Sequence, residues 1–83
     1  MTETEGAVAR EIRRIAGSEL RLVVGDDDEE LAGRLDSLSL LSLVVAVEDR
    51  FRVVLTAEDA ARARSLADLA RLVAARAAAE VLP

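Results

Sequence analysis

The sequence predicts an all-α fold, a four-helix bundle with a long first loop and a short third helix. Apolar residues recur at spacings of three and four along most of the chain, which is the helical period. No segment alternates convincingly as a strand does, and Ser, Thr or Asp precedes several apolar segments, as helix caps do. A chain of 83 residues is expected to form one domain, residues 1–83, with its core over about residues 4–80.

The first helix is predicted over about residues 4–20. Val8, Ile12, Ile15 and Leu20 recur there on one face, and the charged side chains of Glu11, Arg13, Arg14 and Glu19 lie elsewhere on the helix. Val23 is expected to continue into the core, together with its neighbour Val24. The segment therefore reads as an amphipathic helix with a single buried face.

A long loop is predicted over residues 25–33, where the acidic run DDDEE follows Gly25. Leu31 and Leu35 are expected to turn inward and hold this loop against the core. A calcium loop needs alternating oxygen ligands, a central Gly and a distant Glu, and the run lacks that spacing. We interpret the run as a solvated charged segment and expect no bound metal.

The second helix is predicted from residue 37 or 38 to about residue 50, with Asp36 as its N-cap. It carries two apolar stripes rather than one. The first stripe comprises Leu40, Leu43, Val44, Val47 and Phe51, and the second comprises Leu38, Leu41 and Val45. A small bundle can cover one stripe, so Phe51 and its stripe are expected in the core and the second stripe in solvent.

Two further helices follow. Thr56 is predicted to cap a short third helix, with Asp59 at the position that a capping box fills with an acid or amide. Ser65 begins the fourth helix, which is predicted over about residues 65–80. Its inward positions are expected to be Leu66, Leu69, Leu72 and Val73.

Composition excludes several classes of function. The net charge is −5, from 16 acidic residues and 11 basic ones, all of them arginine, so nucleic acids and anionic membranes are not expected as partners. The absence of Cys removes thiol catalysis and thiolate metal sites, and the absence of His removes the commonest general base and metal ligand. No base, nucleophile pair or metal set for an enzyme can therefore be assembled. The longest apolar run, five residues from Leu43, cannot span a bilayer. We expect a free-standing, cytoplasmic monomer.

Ser37 is the residue at which chemistry is expected. It lies at the start of the second helix, where free N–H groups and the helix dipole favour an anion. The chain has no His, Cys or Lys that could activate this serine as a nucleophile. A serine in that position suggests that another enzyme attaches a phosphate-linked group to it.

The stretch LDSLSLLSLVVAVEDRF resembles the prosthetic-group region of acyl carrier proteins. That family has Asp-Ser-Leu at the start of its second helix, then an apolar run, an acidic pair and Phe. The following stretch, VVLTAEDAARARSLADLARLV, is similar to the family's third and fourth helices. The resemblance covers nearly all of the chain from Asp36 to Val73.

The resemblance implies that Ser37 carries a 4′-phosphopantetheine arm, which a phosphopantetheinyl transferase donates from coenzyme A. Acyl groups would be held as thioesters on the arm, and Asp36 would support the modification site. The resemblance also implies a docking surface for acyl-loading and acyl-processing enzymes with basic patches, formed by Leu38, Leu41, Val45, Glu48 and Asp49.

Departures from the family pattern narrow the expected role. Ser39 and Ser42 stand where fatty-acid carriers often have acids, and Arg50 and Arg52 add positive charge. These differences favour polyketide or other specialised acyl assembly over general fatty-acid synthesis. Two alternatives stay open: a peptidyl or aminoacyl carrier, and a helical adaptor that binds a partner through Leu38, Leu41 and Val45 while Ser37 remains unmodified.

Overall fold

Four α-helices make up most of the described chain. The computed structural model describes residues 1–81, with side chains as far as residue 78. In chain order the helices are α1 (Glu3–Arg14), α2 (Ser37–Phe51), α3 (Ala57–Arg62) and α4 (Leu66–Val81). Within these residues there is no strand, only an isolated bridge between Glu30 and Ser65. The all-α prediction, with its long first loop and short third helix, is confirmed.

The first helix begins with a capping box. The Thr2 hydroxyl accepts the Glu5 N–H at 3.1 Å, and the Glu5 carboxylate accepts the Thr2 N–H at 2.9 Å. Beyond α1 the chain continues through one π-helical turn, Ile15–Glu19, in which the Leu20 N–H bonds to the Ile15 carbonyl at 3.2 Å. The helix thus starts one residue before its predicted start, and its predicted last turn has π rather than α geometry.

The core is aliphatic and lies between α1, α2 and α4, with α1 packed along α4. The connecting segments add Val24, Leu31, Leu35, Val53 and Leu55. The largest fully buried side chains are Ile12, Ile15, Leu31, Leu43, Val47, Leu66, Leu69 and Val73. Each such side chain contributes roughly 1.5–3 kcal/mol by leaving water, so the bundle does not need aromatic residues to be stable.

One residue predicted to lie in the core is in solvent. Val23 is 72% exposed while Val24 is 4% exposed, because the backbone has left the helix and successive side chains of an extended segment point to opposite sides. Phe51 packs against the core at its edge and is half-buried, as are Leu40 and Val44 of the same stripe. The Arg50 guanidinium carbon lies 5.6 Å from the centre of its ring.

The long α1–α2 connection is held by its own charges. Leu31 and Leu35 are buried, as predicted. Arg13 of α1 forms an ion pair with Asp27 and donates to the Gly25 carbonyl at 2.6 Å. The Asp27 carbonyl accepts the N–H of Ala67 in α4 at 2.9 Å. Part of the acidic run therefore fixes the loop to α1 and α4. Among the described residues, no group of three or more acids is placed to hold a metal ion.

The short helix α3 is fixed at its start by Asp59. Thr56 and Asp59 form the predicted capping box, with both hydrogen bonds at 3.0 Å. The same carboxylate lies 2.7 Å from the Arg76 guanidinium of α4, which also donates to the Val54 carbonyl at 3.2 Å. Hydrogen bonds from the Thr56 N–H and hydroxyl, followed by the charge of Arg76, lower the pKa of the buried Asp59 below its ordinary value. This link between α3 and α4 was not predicted.

Candidate functional site

Ser37 is the first residue of α2 and is exposed to solvent. The residue before it, Asp36, has extended backbone dihedrals (φ −74°, ψ 172°), and its carboxylate accepts the Ser39 N–H at 2.7 Å. Asp36 is therefore the N-cap, as predicted, and Ser37 is not. Because the cap is already supplied, the Ser37 hydroxyl is left at the surface on the first turn of a fifteen-residue helix.

The charge of Asp36 is stabilised by the same cap. Hydrogen bonds from the Ser39 N–H and the Ser39 hydroxyl, with a smaller contribution from the Leu38 N–H, lower the pKa of the Asp36 carboxyl below its ordinary value. A carboxylate directly beside Ser37 is thus ionised at neutral pH.

The second apolar stripe of α2 lies in solvent. Leu38, Leu41 and Val45 are 74%, 58% and 54% exposed. Leu43 and Val47, on the opposite face, are fully buried. The predicted exposure of the second stripe is confirmed, and the stripe starts directly next to Ser37.

The two acids predicted to dock partners occupy different environments. The Glu48 carboxylate accepts the N–H of Leu55 at 2.8 Å and is half-buried. Asp49 is exposed at the end of the stripe. The neighbouring Arg50 is held by Glu11 of α1 at 2.9 Å. The Asp49 side chain faces outward. Among the described residues it takes part in no ion pair and no side-chain hydrogen bond, unlike the other acid at this end of α2.

A family model described as the phosphopantetheine attachment site matches residues 10–73, which is more than half of the chain. The chain belongs to this phosphopantetheine-binding family. Comparison with curated proteins and with solved structures found no match. The family assignment confirms the resemblance derived from the sequence.

Membership of the phosphopantetheine-binding family determines the general biochemistry. Its domains are non-catalytic carriers that a phosphopantetheinyl transferase modifies, and their covalent cofactor is 4′-phosphopantetheine. Such a domain interacts with acyl-processing enzymes. The predictions of a carrier rather than an enzyme, and of this cofactor, are confirmed.

The start of α2 fits the prosthetic group of the family. A phosphodiester on the Ser37 hydroxyl would lie at the positive end of the α2 dipole, which favours a negative charge. The exposed position leaves the hydroxyl open to the transferase, and the buried Leu35 anchors the chain two residues before it.

A cleft lies close to this site, between the Leu31–Gly33 turn, α2 and α3. It has a volume of about 220 Å³ and is lined by Glu30, Leu31, Ala32, Leu40, Ala60, Ala61, Ala63 and Arg64. Leu40 follows Ser37 by one helical turn, so the cleft is within reach of a group attached to the serine. Its mostly aliphatic lining suits an apolar chain.

A second groove lies beside the exposed stripe. It includes Leu20, which the sequence placed only on the buried face of the first helix. Leu20 follows the π-helical turn, is half-buried, and faces Leu41, Val45 and Ala46 across the groove. The helical pattern gave no signal that Leu20 would reach α2.

Within residues 1–81, no helix combines the length and apolar composition needed to cross a bilayer.

Proposed function

We propose that Ser37 carries the 4′-phosphopantetheine arm and that the protein presents acyl groups, as thioesters on that arm, to enzymes of polyketide or other specialised acyl assembly. The observation that carries the proposal is the exposed Ser37 hydroxyl on the first turn of α2, capped by Asp36 and within the matched residues 10–73. The family supplies the cofactor, and the geometry supports this serine as its attachment point.

The attachment is a phosphoryl transfer. The Ser37 oxygen attacks the phosphorus that bears the pantetheine of coenzyme A, a new O–P bond forms, and the phosphoanhydride bond breaks. The leaving group is adenosine 3′,5′-bisphosphate, and the transferase accepts the hydroxyl proton because this chain has no His or Lys near the serine. The ionised Asp36 supports the reaction by holding the transferase's cation beside the serine.

The specialised role is supported by the charge of the docking surface. Three of the five residues of the docking surface are aliphatic, and the carboxylate of a fourth, Glu48, accepts a hydrogen bond from the Leu55 N–H. The five residues are Leu38, Leu41, Val45, Glu48 and Asp49. Ser39 and Ser42 add no charge. A surface of this kind selects partners by apolar shape more than by a basic patch, which favours a dedicated set of enzymes over a general one.

Two other roles use the same helix. A peptidyl or aminoacyl carrier would have the same modified serine and differ only in its cargo. A helical adaptor would bind through the exposed Leu38, Leu41 and Val45 without modification, since exposed apolar patches mark interfaces.

As further parts of the proposal, the chain acts as a cytoplasmic monomer, a single domain over residues 1–83, without nucleic-acid or membrane partners.

The test is the intact mass of the protein before and after incubation with coenzyme A and a broad-specificity phosphopantetheinyl transferase. Wild type should gain one phosphopantetheine, and Ser37→Ala should gain none. Ser42→Ala, which alters another exposed serine of α2, is the matched control and should gain one. Modification of Ser37→Ala would contradict the proposal. So would an unmodified wild type, if neither a transferase that modifies a known carrier nor the transferase of the source organism adds the group.

A further inference from the structure

The ion pair between Glu29 and Arg34 joins the long α1–α2 connection to the segment that enters α2. The Arg34 Nε donates to one oxygen of the Glu29 carboxylate at 2.8 Å, and an Nη atom donates to the other oxygen at 3.3 Å. That second oxygen also accepts the Asp26 N–H at 3.3 Å. Two parallel hydrogen bonds between a planar guanidinium and a carboxylate set their relative orientation, so the pair fixes both side chains.

Gly25 is the floor on which this ion pair lies. Its backbone has a φ of 65°, and a Cβ at this position would lie 2.8 Å from the Glu29 Oε2 and 3.0 Å from the Arg34 Nε. A side chain here would therefore displace the pair. The Gly25 carbonyl accepts a hydrogen bond from Arg13 of α1 at 2.6 Å. The pair thus rests on backbone that is itself fixed to the first helix.

The three residues before Ser37 each have an anchor. The N–H groups of Arg34 and Leu35 both donate to the Leu31 carbonyl, at 2.9 Å and 2.7 Å. The Leu35 side chain is buried, and Asp36 caps α2. The Arg34 side chain is tied to the loop by the ion pair. The direction in which the chain enters α2, and with it the position of Ser37, depends on these anchors together.

We propose that Glu29 and Arg34 are positioning residues for arm transfer, because their ion pair fixes the entry of the chain into α2 and thereby the direction of the Ser37 hydroxyl. The inference rests on the proposed attachment at Ser37. In that reaction the serine oxygen forms the new O–P bond in line with the phosphoanhydride bond that breaks. A hydroxyl held in one direction reaches this alignment more often than one on a loose segment. Neither side chain has to touch coenzyme A, since both act through the main chain of residues 34–36.

The exposure of the ion pair determines where its loss should be seen. The Arg34 and Glu29 side chains are 43% and 38% exposed, and pairs of that kind contribute little to global stability. Removing the pair should loosen only the segment that it holds, since segments open locally without global unfolding. The N–H of Leu35 reports on that segment, and the N–H of the buried Leu43 reports on the interior of α2.

Three variants break the pair. Glu29→Ala and Arg34→Ala each remove one partner, and the double variant removes both. Arg71→Ala is the matched control, because it removes a comparably exposed ion pair, with Asp68, in α4. Thermal melts should show that all four variants are folded.

The first measurement is amide hydrogen exchange on the unmodified protein, followed by NMR. In all three pair variants the Leu35 N–H should exchange up to about fivefold faster, as the loss of one exposed ion pair permits. The Leu43 N–H should exchange as in wild type in every variant. Arg71→Ala should change neither amide. This pattern would locate the effect of the pair at the entry of α2.

The second measurement is the steady-state rate of arm transfer at saturating coenzyme A with the carrier as varied substrate, using a transferase shown by intact mass to modify wild type. The value of kcat should fall about threefold to fivefold in each single variant, while KM stays within about twofold, since alignment matters in the transition state and the surface of α2 is unchanged. The double variant should be no slower than either single one, because both changes break the same pair. Arg71→Ala should transfer as wild type does.

Unchanged Leu35 exchange in the pair variants would overturn this inference and leave the proposed function in place. So would a raised KM in Arg34→Ala alone, because the arginine would then bind the transferase directly. Losses of kcat that add in the double variant would also overturn it, since Glu29 and Arg34 would not act as one pair. A wild-type protein that no transferase modifies would overturn the proposed function, and this inference with it.

Discussion

The Glu48 carboxylate accepts the N–H of Leu55 at 2.8 Å, across the turn that connects α2 to α3. The Glu48 carbonyl accepts the N–H of Val53 at 3.2 Å in the same turn. One residue therefore closes the end of α2 with both its side chain and its main chain. The adjacent acid, Asp49, points to solvent beside the apolar stripe. Two neighbouring acids thus occupy different environments.

Glu48→Ala should lower the free energy of unfolding by about 1–2 kcal/mol, because a partly buried N–H loses a charged acceptor. Asp49→Ala should change it by less than about 0.5 kcal/mol, as an exposed surface substitution does. Urea titrations of the two variants measure both values. Equal stability of Glu48→Ala and Asp49→Ala would show that the Leu55 contact contributes nothing, and that Glu48 is free to dock.

Asp36→Ala should lower Tm by roughly 4–8 °C, because α2 loses its N-cap. Asp36→Asn should keep Tm near the wild-type value, since Asn caps as well as Asp does. If the carboxylate also supports modification of Ser37, arm transfer to Asp36→Asn should be slowed although its fold is intact. Transfer at the wild-type rate would restrict Asp36 to a capping role. Thermal melts and the transfer assay separate the two functions.

Glu11 predicts a dependence of stability on pH. Hydrogen bonds from Arg14 and then Arg50 lower the pKa of this carboxyl from 4.5 to about 2. A folded-state pKa below the unfolded value gives a stabilisation that is present above about pH 4.5 and is lost as the pH falls towards 2. Glu11→Gln should therefore melt slightly below wild type at pH 7, and the difference should vanish near pH 2.

The Glu11 effect should be small, because the carboxylate is partly exposed and salt screens its ion pairs. Asp28→Asn removes an exposed acid that takes part in none of the ion pairs among the described residues, and serves as its control. Melting curves at several pH values, in low and high salt, measure the difference. A gap between Glu11→Gln and wild type that widened on acidification would have the wrong sign and would contradict the assignment.

Arg52 adopts the left-handed conformation, with φ 57° and ψ 43°, directly after α2. Glycine adopts this conformation without the cost that a Cβ imposes, and it is the residue preferred just past a helix end. Arg52→Gly should therefore raise the free energy of unfolding by about 0.5–1 kcal/mol. Arg50→Gly, inside the last turn of α2, should lower it by about 1 kcal/mol. Chemical denaturation of both variants checks the sign, and a destabilised Arg52→Gly would mean that the Arg52 side chain has an unrecognised contact.

Features that depend on neighbours in the chain could be predicted from the sequence. The capping of α2 by Asp36 and of α3 by Thr56 and Asp59 follows from side chains three residues from the groups they bind. The exposure of Leu38 and its stripe follows from counting apolar faces on one helix. The first-turn position of Ser37 belongs to this local kind of information.

Features that depend on contacts between distant parts of the chain could not be predicted from the sequence. Val23 and Val24 look alike in the sequence, and only the exit of the backbone from the helix decides which one is buried. The pair between Arg76 and Asp59 joins residues that lie on different helices. Leu20 gains its place in the groove only because the π-helical turn brings it to α2. Each of these contacts requires the tertiary packing to be known first.

The most direct test of the central claim is to locate the arm on the modified wild-type protein. Trypsin cleaves after Arg34 and Arg50, so Ser37, Ser39 and Ser42 fall in one peptide, residues 35–50. Fragmentation of that peptide assigns the phosphopantetheine to a single serine. The account predicts that Ser37 carries all of it. Phosphopantetheine on Ser39, on Ser42 or on any other peptide would contradict it.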